Sequence, residues 1–320
     1  MAAAFETAFE GVIPSEALFF AERGISRGAH PVKLRGRFLG PLVQARAFGM
    51  TQSFNKHRIV RVNMRHIWPT FFLLLTSLPL WPQNRPSAEL TVATAADLRS
   101  ALKEVAEAYE SKSGVKVRLV FGSSGALTQQ IQQGAPFDVF FSADMDYPRQ
   151  LISAGDAEAN TLHQYAVGKL VLWVPADSTL DIEHQGMKVL LDSVVRKIAI
   201  ANPQHAPYGR AAVAALKHEG VYDWVANRLV MGENVSQAAQ FVESGNADAG
   251  FIALAHAVAP AMQGKGKYWR VPDEDYPPLE QGVVVLTHSQ HKKEAAEFLE
   301  SIKSKDVAEI FRKYGFTQAK

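Results

Sequence analysis

Val117-Arg118-Leu119-Val120-Phe121-Gly122-Ser123-Ser124-Gly125-Ala126-Leu127 decides how this chain is read. An alternating apolar strand runs into Gly-Ser-Ser-Gly, and a helix opens directly behind it. Leu127 and Ile131 share one face of that helix, and Gly134 is placed to end it. Two glycines let the backbone turn tightly, and two hydroxyls sit among the free N–H groups of the first helical turn. Such a junction receives an anion without a positive side chain, because orphan N–H groups and the helix dipole already point at it. The competing reading is that Ser123 or Ser124 merely caps its own helix.

Outward from this junction, strands and helices alternate. Leu90–Ala95 reads as a strand, and Asp97 stands at an N-cap position before a helix that Gly114 closes. Strands follow at Val115–Phe121, Phe137–Phe141, Leu170–Val174, Lys197–Ala201, Leu229–Met231 and Ala249–Leu254. Tyr268–Val271 reads as an edge strand, and Gly282–Leu286 as the last. This alternation predicts an α/β fold with mainly parallel sheets, whose ligands bind at helix N-termini beyond the strands' carboxyl ends.

The strand–small/polar–helix junction recurs at Ala95-Ala96-Asp97, Pro207-Tyr208-Gly209 and Glu233-Asn234-Val235. None of the four contains Lys, although Arg210 follows the third. Brought together, they would make a site of dipoles and hydroxyls with no counter-charge. That suits a fully deprotonated oxyanion which must be released again, with hydrogen-bond geometry as the basis of selection.

Composition narrows the alternatives. The 320 residues are 47% hydrophobic and 21% charged with net charge +2, too balanced to suggest nucleic acid. The chain has no cysteine, which excludes disulfides, thiolate zinc sites, cysteine nucleophiles and a lipoprotein anchor cysteine. It has no Gly-x-Ser-x-Gly elbow, His-Glu-x-x-His, Walker loop or dinucleotide fingerprint. Asp138 and Asp144 bracket a strand end, where capping and backbone bonding explain them better than catalysis. His205 and His256 read as surface or hydrogen-bonded histidines. Trp173, Trp224 and Trp269 read as core.

The N-terminal third differs. From Arg23 to Arg65 the segment is basic with no acid after Glu22, and lacks any sustained period. Met64-Arg65-His66 then leads into the apolar run Ile67–Trp81, followed by Ser87-Ala88. A basic start, an apolar centre too short to span a membrane and small residues at the end read as a secretory signal over 64–88. Residues 1–63 then read as an upstream over-extension of the reading frame or a dispensable, disordered basic leader. The alternative is a transit peptide or a membrane-contacting arm. A signal without a later hydrophobic span or anchor cysteine implies a soluble periplasmic protein.

Thr91–Leu98, Val120–Gly125, Gln132–Asp144 with its Gly-Ala-Pro-Phe-Asp-Val-Phe-Phe-Ser-Ala-Asp run, Asn202–Gly209, Glu233–Val235 and Ala308–Phe316 resemble the periplasmic molybdate-binding proteins of ABC transporters. The resemblance covers Glu89 to Phe316 in order. It implies the two-lobed periplasmic binding protein fold of type II, with two mixed, mostly parallel sheets, flanking helices and a hinge cleft. Lobe one would be 89–167 with 282–320, and lobe two 168–281. It also implies a monomer without enzymatic activity or cofactor, whose ligand is molybdate or tungstate, and whose partner is the membrane permease of the transporter. The metal would be held as its oxyanion, with no direct coordination; the alternatives are a binding protein for another tetrahedral oxyanion such as sulfate, or an enzyme on the same two-lobed scaffold, whose covalent versions use a cysteine that this chain lacks.

Carried over by motif, Ser124 would give its hydroxyl and N–H, Tyr208 its N–H and hydroxyl, and Val235 its N–H, with Ser123 beside them. The family's other serine falls near Ala96 or Asp97, so backbone N–H groups there would make the contact while Asp97 caps its helix. The family's tyrosine falls on Ala253.

Overall fold

A computed structural model describes residues 88–318. The basic extension 1–63 and the signal 64–88, Ala88 apart, lie outside the described residues. Among those described, no helix is long and apolar enough to cross a membrane.

The chain opens with β1 (Glu89–Ala95), α1 (Arg99–Ser113), β2 (Lys116–Gly122), α2 (Ser124–Gln132), β3 (Val139–Ser142), α3 (Asp146–Ala154) and β4 (His163–Gly168). It continues through β5 (Leu170–Pro175), α4 (Ile182–Gln185), β6 (Ile198–Ala201), α5 (Pro207–His218), α6 (Tyr222–Val225), β7 (Leu229–Gly232), α7 (Val235–Glu243) and β8 (Ala249–Ala253). Last come α8 (Leu254–Ala257), β9 (Gly266–Arg270), β10 (Leu279–Val285), α9 (Lys292–Ile302) and α10 (Lys305–Lys313).

Two five-stranded sheets result, ordered β2-β1-β3-β10-β4 and β7-β6-β8-β5-β9. In the first, β1 is parallel to β2 and β3, and β10 runs antiparallel to both its neighbours. In the second, β6 is parallel to β7 and β8, while β5 is the reversed strand. The chain leaves the first sheet between β4 and β5 and returns between β9 and β10, so each reversed strand adjoins a crossing. This is the mostly parallel, two-lobed arrangement.

Local chemistry explains the element ends. Gly114 adopts φ 73° and its N–H closes α1 on the Glu110 carbonyl, a left-handed cap that costs a residue with Cβ more. Asp144 Oδ1 accepts from the N–H groups of Asp146 and Tyr147 and so starts α3, while Asp138 holds the Thr91 N–H at 2.8 Å. β1 and β3 are buried on both faces, as central strands between helical layers must be.

Three readings need correction, and one strand went unread. Asp97 caps nothing: it lies in a short 3-10 turn, Ala96–Leu98, and its buried carboxylate turns away from α1. β4 carries no clean alternation because it is a half-buried edge strand, so periodicity does not mark it. β10 opens at Leu279, ahead of Gly282, since pairing with β4 starts at Leu279. Trp224 is 73% exposed, because α6 is a single turn that buries Val225 instead.

Candidate functional site

Four chain junctions meet at one small pocket. β1 ends there at Ala95-Ala96-Asp97, and β2 passes into α2 through Gly122-Ser123-Ser124. From the second lobe come Ala206-Pro207-Tyr208 at the start of α5 and Asn234-Val235 at the start of α7. Ala96, Ser123, Ser124, Tyr208 and Val235 all line it, whereas Ala253 is buried at the end of β8 outside the lining. Among the described residues no Lys or Arg lines it.

Three helices begin at this pocket, so the pocket wall is made of first-turn N–H groups that have no intrahelical acceptor. Ser124 and Val235 are the first residues of α2 and α7, and Tyr208 is the second of α5, behind Pro207. Their N–H groups find no acceptor among the described residues, although the three residues are at most 3% exposed. Buried N–H groups of this kind are rare unless something accepts from them. At α7 the Asn234 side chain caps the third position by accepting from Gln237 N–H at 3.1 Å, which leaves the Val235 N–H free. Asn234→Ala is expected to lower unfolding free energy by about 1 kcal/mol, read as a reduced urea midpoint at unchanged slope.

The two serines diverge. Ser124 Oγ accepts the Ala143 N–H at 2.9 Å, so its own proton is available to the pocket. Neither serine caps α2. Ser123 Oγ instead bonds His205 Nδ1 at 2.7 Å, across to the second lobe, so its hydroxyl is engaged in holding the lobes together. His205 Nε2 stands 3.6 Å from the exposed Glu233 carboxylate, which completes a Ser–His–Glu row spanning both lobes.

Other bonds cross the same cleft. Gly125 N–H donates to the His205 carbonyl at 2.9 Å, and the Tyr147 hydroxyl reaches the same oxygen at 3.3 Å. Arg210 joins Asp144 and donates to the Tyr147 hydroxyl at 3.0 Å. Ser236 Oγ donates to the Ala96 carbonyl at 3.0 Å and lies 2.7 Å from His256 Nε2. Since that hydroxyl has one proton, His256 must donate from Nε2, which matches a neutral ring. Burial holds the His256 pKa down to about 4. Sequence reasoning missed this set of ties; only the position of His205 and Arg210 beside the third junction pointed towards it.

The Tyr208 hydroxyl is not turned to the anion-facing wall as the resemblance implied. It stands beside the Asp97 carboxylate and packs against Gly168 at the β4–β5 crossing, where a Cβ would collide with it. Its contribution to the pocket is therefore backbone. Asp97 is 2% exposed; Oδ2 accepts from Gln281 Nε2 at 2.8 Å and Oδ1 has no partner. Burial pushes its pKa up to about 6, opposed by the Gln281 amide and the Tyr208 phenol.

The arrangement can bind a small anion between two bodies and release it when they part. Comparison with known proteins agrees with this chemistry. Residues 90–317 match the family model described as bacterial extracellular solute-binding protein. The molybdate-binding protein ModA of Azotobacter vinelandii is 38% identical over 230 residues, covering 72% of this chain and 90% of that protein. Its Rhodobacter capsulatus counterpart is 37% identical, covering 72% and 88%. The solved structure of the Azotobacter periplasmic molybdate-binding protein superimposes with a TM-score of 0.69 at 36% identity, over 72% of this chain and 100% of that one. A sulfate-binding protein of Mycobacterium tuberculosis, SubI, shares the fold with a TM-score of 0.60 at 15% identity. The chain therefore belongs to the bacterial extracellular solute-binding proteins.

Proposed function

We propose that this protein binds molybdate, and tungstate with it, in the periplasm and delivers it to the membrane permease of an ABC transporter. The observation that carries the reading is the convergence of free N–H groups from Ser124, Tyr208 and Val235, with the Ser124 hydroxyl, on a pocket that no cationic side chain lines among the described residues. Ala96 belongs to the same wall, and Ser123 to its rim through His205. Donors of fixed geometry suit a tetrahedral dianion, and the absence of an ion pair keeps binding reversible.

In this reading 89–167 with 282–320 form one lobe and 168–281 the other, and the protein acts as a monomer that carries its ligand without converting it. Closure is a rigid-body rotation about the two crossings, biased by the bound anion, and the permease reads the closed form. The names of the 37–38% identical relatives favour molybdate over sulfate. Size provides the physical discrimination, since molybdate and tungstate have longer metal–oxygen bonds than the S–O and P–O bonds of sulfate and phosphate. Calorimetric titration of the purified protein with molybdate, tungstate, sulfate and phosphate tests it. Saturable one-to-one binding is expected for the first two, with sulfate and phosphate much weaker. Failure to bind molybdate would defeat the reading.

A further inference from the structure

We infer that the oxyanion enters this pocket together with a proton, and that Asp97 carries it. The inference rests on the oxyanion reading above and concerns the same site. Asp97 is an acid on the wall of an anion pocket, next in sequence to Ala96. It is 2% exposed, and among the described residues no Lys, Arg or His forms an ion pair with it. What faces it is neutral. Gln281 of β10 donates to Oδ2 and is itself held by the Tyr165 hydroxyl of β4 at 2.9 Å. The Tyr208 phenol of α5 faces it from the second lobe, with Tyr276 beyond. His256, behind Ser236, is neutral. Arg99, two residues on, carries charge but lies over the Phe121 ring at 4.3 Å.

A dianion seated on the neighbouring N–H groups would share this pocket wall with Asp97, whose buried carboxylate is faced by neutral donors alone and has no counter-charge. Like charges in a water-poor site raise the pKa of the group able to take a proton, and Asp97 is that group. Its environment already lifts it to about 6. The proton also changes chemistry, since the acid form has an O–H donor where the carboxylate can only accept. Oδ1 is buried with no hydrogen-bond partner among the described residues, and the Tyr208 phenol stands beside the carboxylate from the opposite lobe.

The sign follows from linkage. If binding takes up a proton, affinity falls as pH rises between the pKa of the free site and the higher pKa of the bound one. From about pH 6.5 to about pH 7.5 the loss is about tenfold for one proton.

The test is calorimetric titration of molybdate into the protein at neutral to alkaline pH, in buffers of different ionisation enthalpy. The expected result is a heat that varies with the buffer in proportion to about one proton taken up per anion. Asp97→Asn keeps the shape and the Gln281 bond; it should abolish the uptake, flatten the pH profile and bind more tightly than the wild type at about pH 8. Tyr208→Phe should retain the uptake. A wild-type heat independent of buffer overturns the inference even if Asp97→Asn fails to fold. Uptake that survives Asp97→Asn also overturns it and assigns the proton elsewhere. No binding of molybdate at all would sink the oxyanion reading and this inference with it, whereas binding without uptake sinks this inference alone.

Discussion

Gly125→Ala is expected to leave the fold intact and to cost about a hundredfold or more in molybdate affinity. Gly125 is the second residue of α2, where its N–H donates across the cleft to the His205 carbonyl. A Cβ at this position would meet the Tyr147 hydroxyl at 2.6 Å, and the His205 Cβ and carbonyl oxygen at 2.8 Å each. Two of those atoms belong to the second lobe, and one of them is backbone. Within its own helix the substitution is favourable, because alanine is the better helix former by about 1 kcal/mol. The Tyr147 hydroxyl, on Gly125's own lobe, is the far end of a side chain that can shift; the collision with His205, part of it backbone, exists only when the lobes are shut, and relief comes by holding them apart. Parting withdraws the Tyr208 and Val235 donors from the anion while Ser124 stays in place. Since each 1.4 kcal/mol is tenfold, the loss of about two charge-assisted hydrogen bonds gives the stated magnitude. Titration calorimetry measures the loss, thermal unfolding without ligand should be unchanged or raised, and the ligand-induced compaction seen by small-angle scattering should disappear. Wild-type affinity in this variant would show that closure is not what Gly125 governs.

Ser124→Ala should weaken molybdate binding by about 1–3 kcal/mol, or roughly 5-fold to 150-fold. The hydroxyl does two things: it accepts the Ala143 N–H at 2.9 Å, and it has a proton left for the pocket. Removing it takes one donor from a buried dianion and strands the Ala143 N–H. The second effect acts on the unliganded protein as well, so a drop of about 1 kcal/mol in unfolding free energy should accompany the binding loss. Ser123→Ala provides the contrast. Its hydroxyl ties His205 rather than facing the anion, so its loss acts only through closure and should be the milder of the two. Equal effects from both serines would refute that division of labour.

The helix starts were legible because they are local events. A strand ending in small residues, a capping type such as Asn234 and a proline at the first turn such as Pro207 announce where N–H groups go unpaired. The glycine stops at Gly114 and Gly134 are local in the same sense. Edge strand β4 was not legible, since half-exposure removes the alternation that marks a strand.

Side-chain assignments were legible only in part. Asp97 read as a helix cap from its place before α1, yet its carboxylate goes to Gln281, 184 residues away in sequence. Ser123 and Ser124 look equivalent in Gly-Ser-Ser-Gly, and only His205 and Ala143 tell them apart. The Tyr208 hydroxyl could be imagined in the cleft until Gly168 and Asp97 located it at the crossing.

By itself, then, the sequence determined the α/β alternation, the helix starts and their lack of Lys, because backbone geometry and residue chemistry act over a few neighbouring positions. Tertiary structure alone decided which of those starts meet, which hydroxyl faces the pocket and which residues tie the lobes. A side chain's direction at a junction depends on the partner that satisfies it, and here the partners for Ser123, Ser236 and Asp144 come from the opposite lobe.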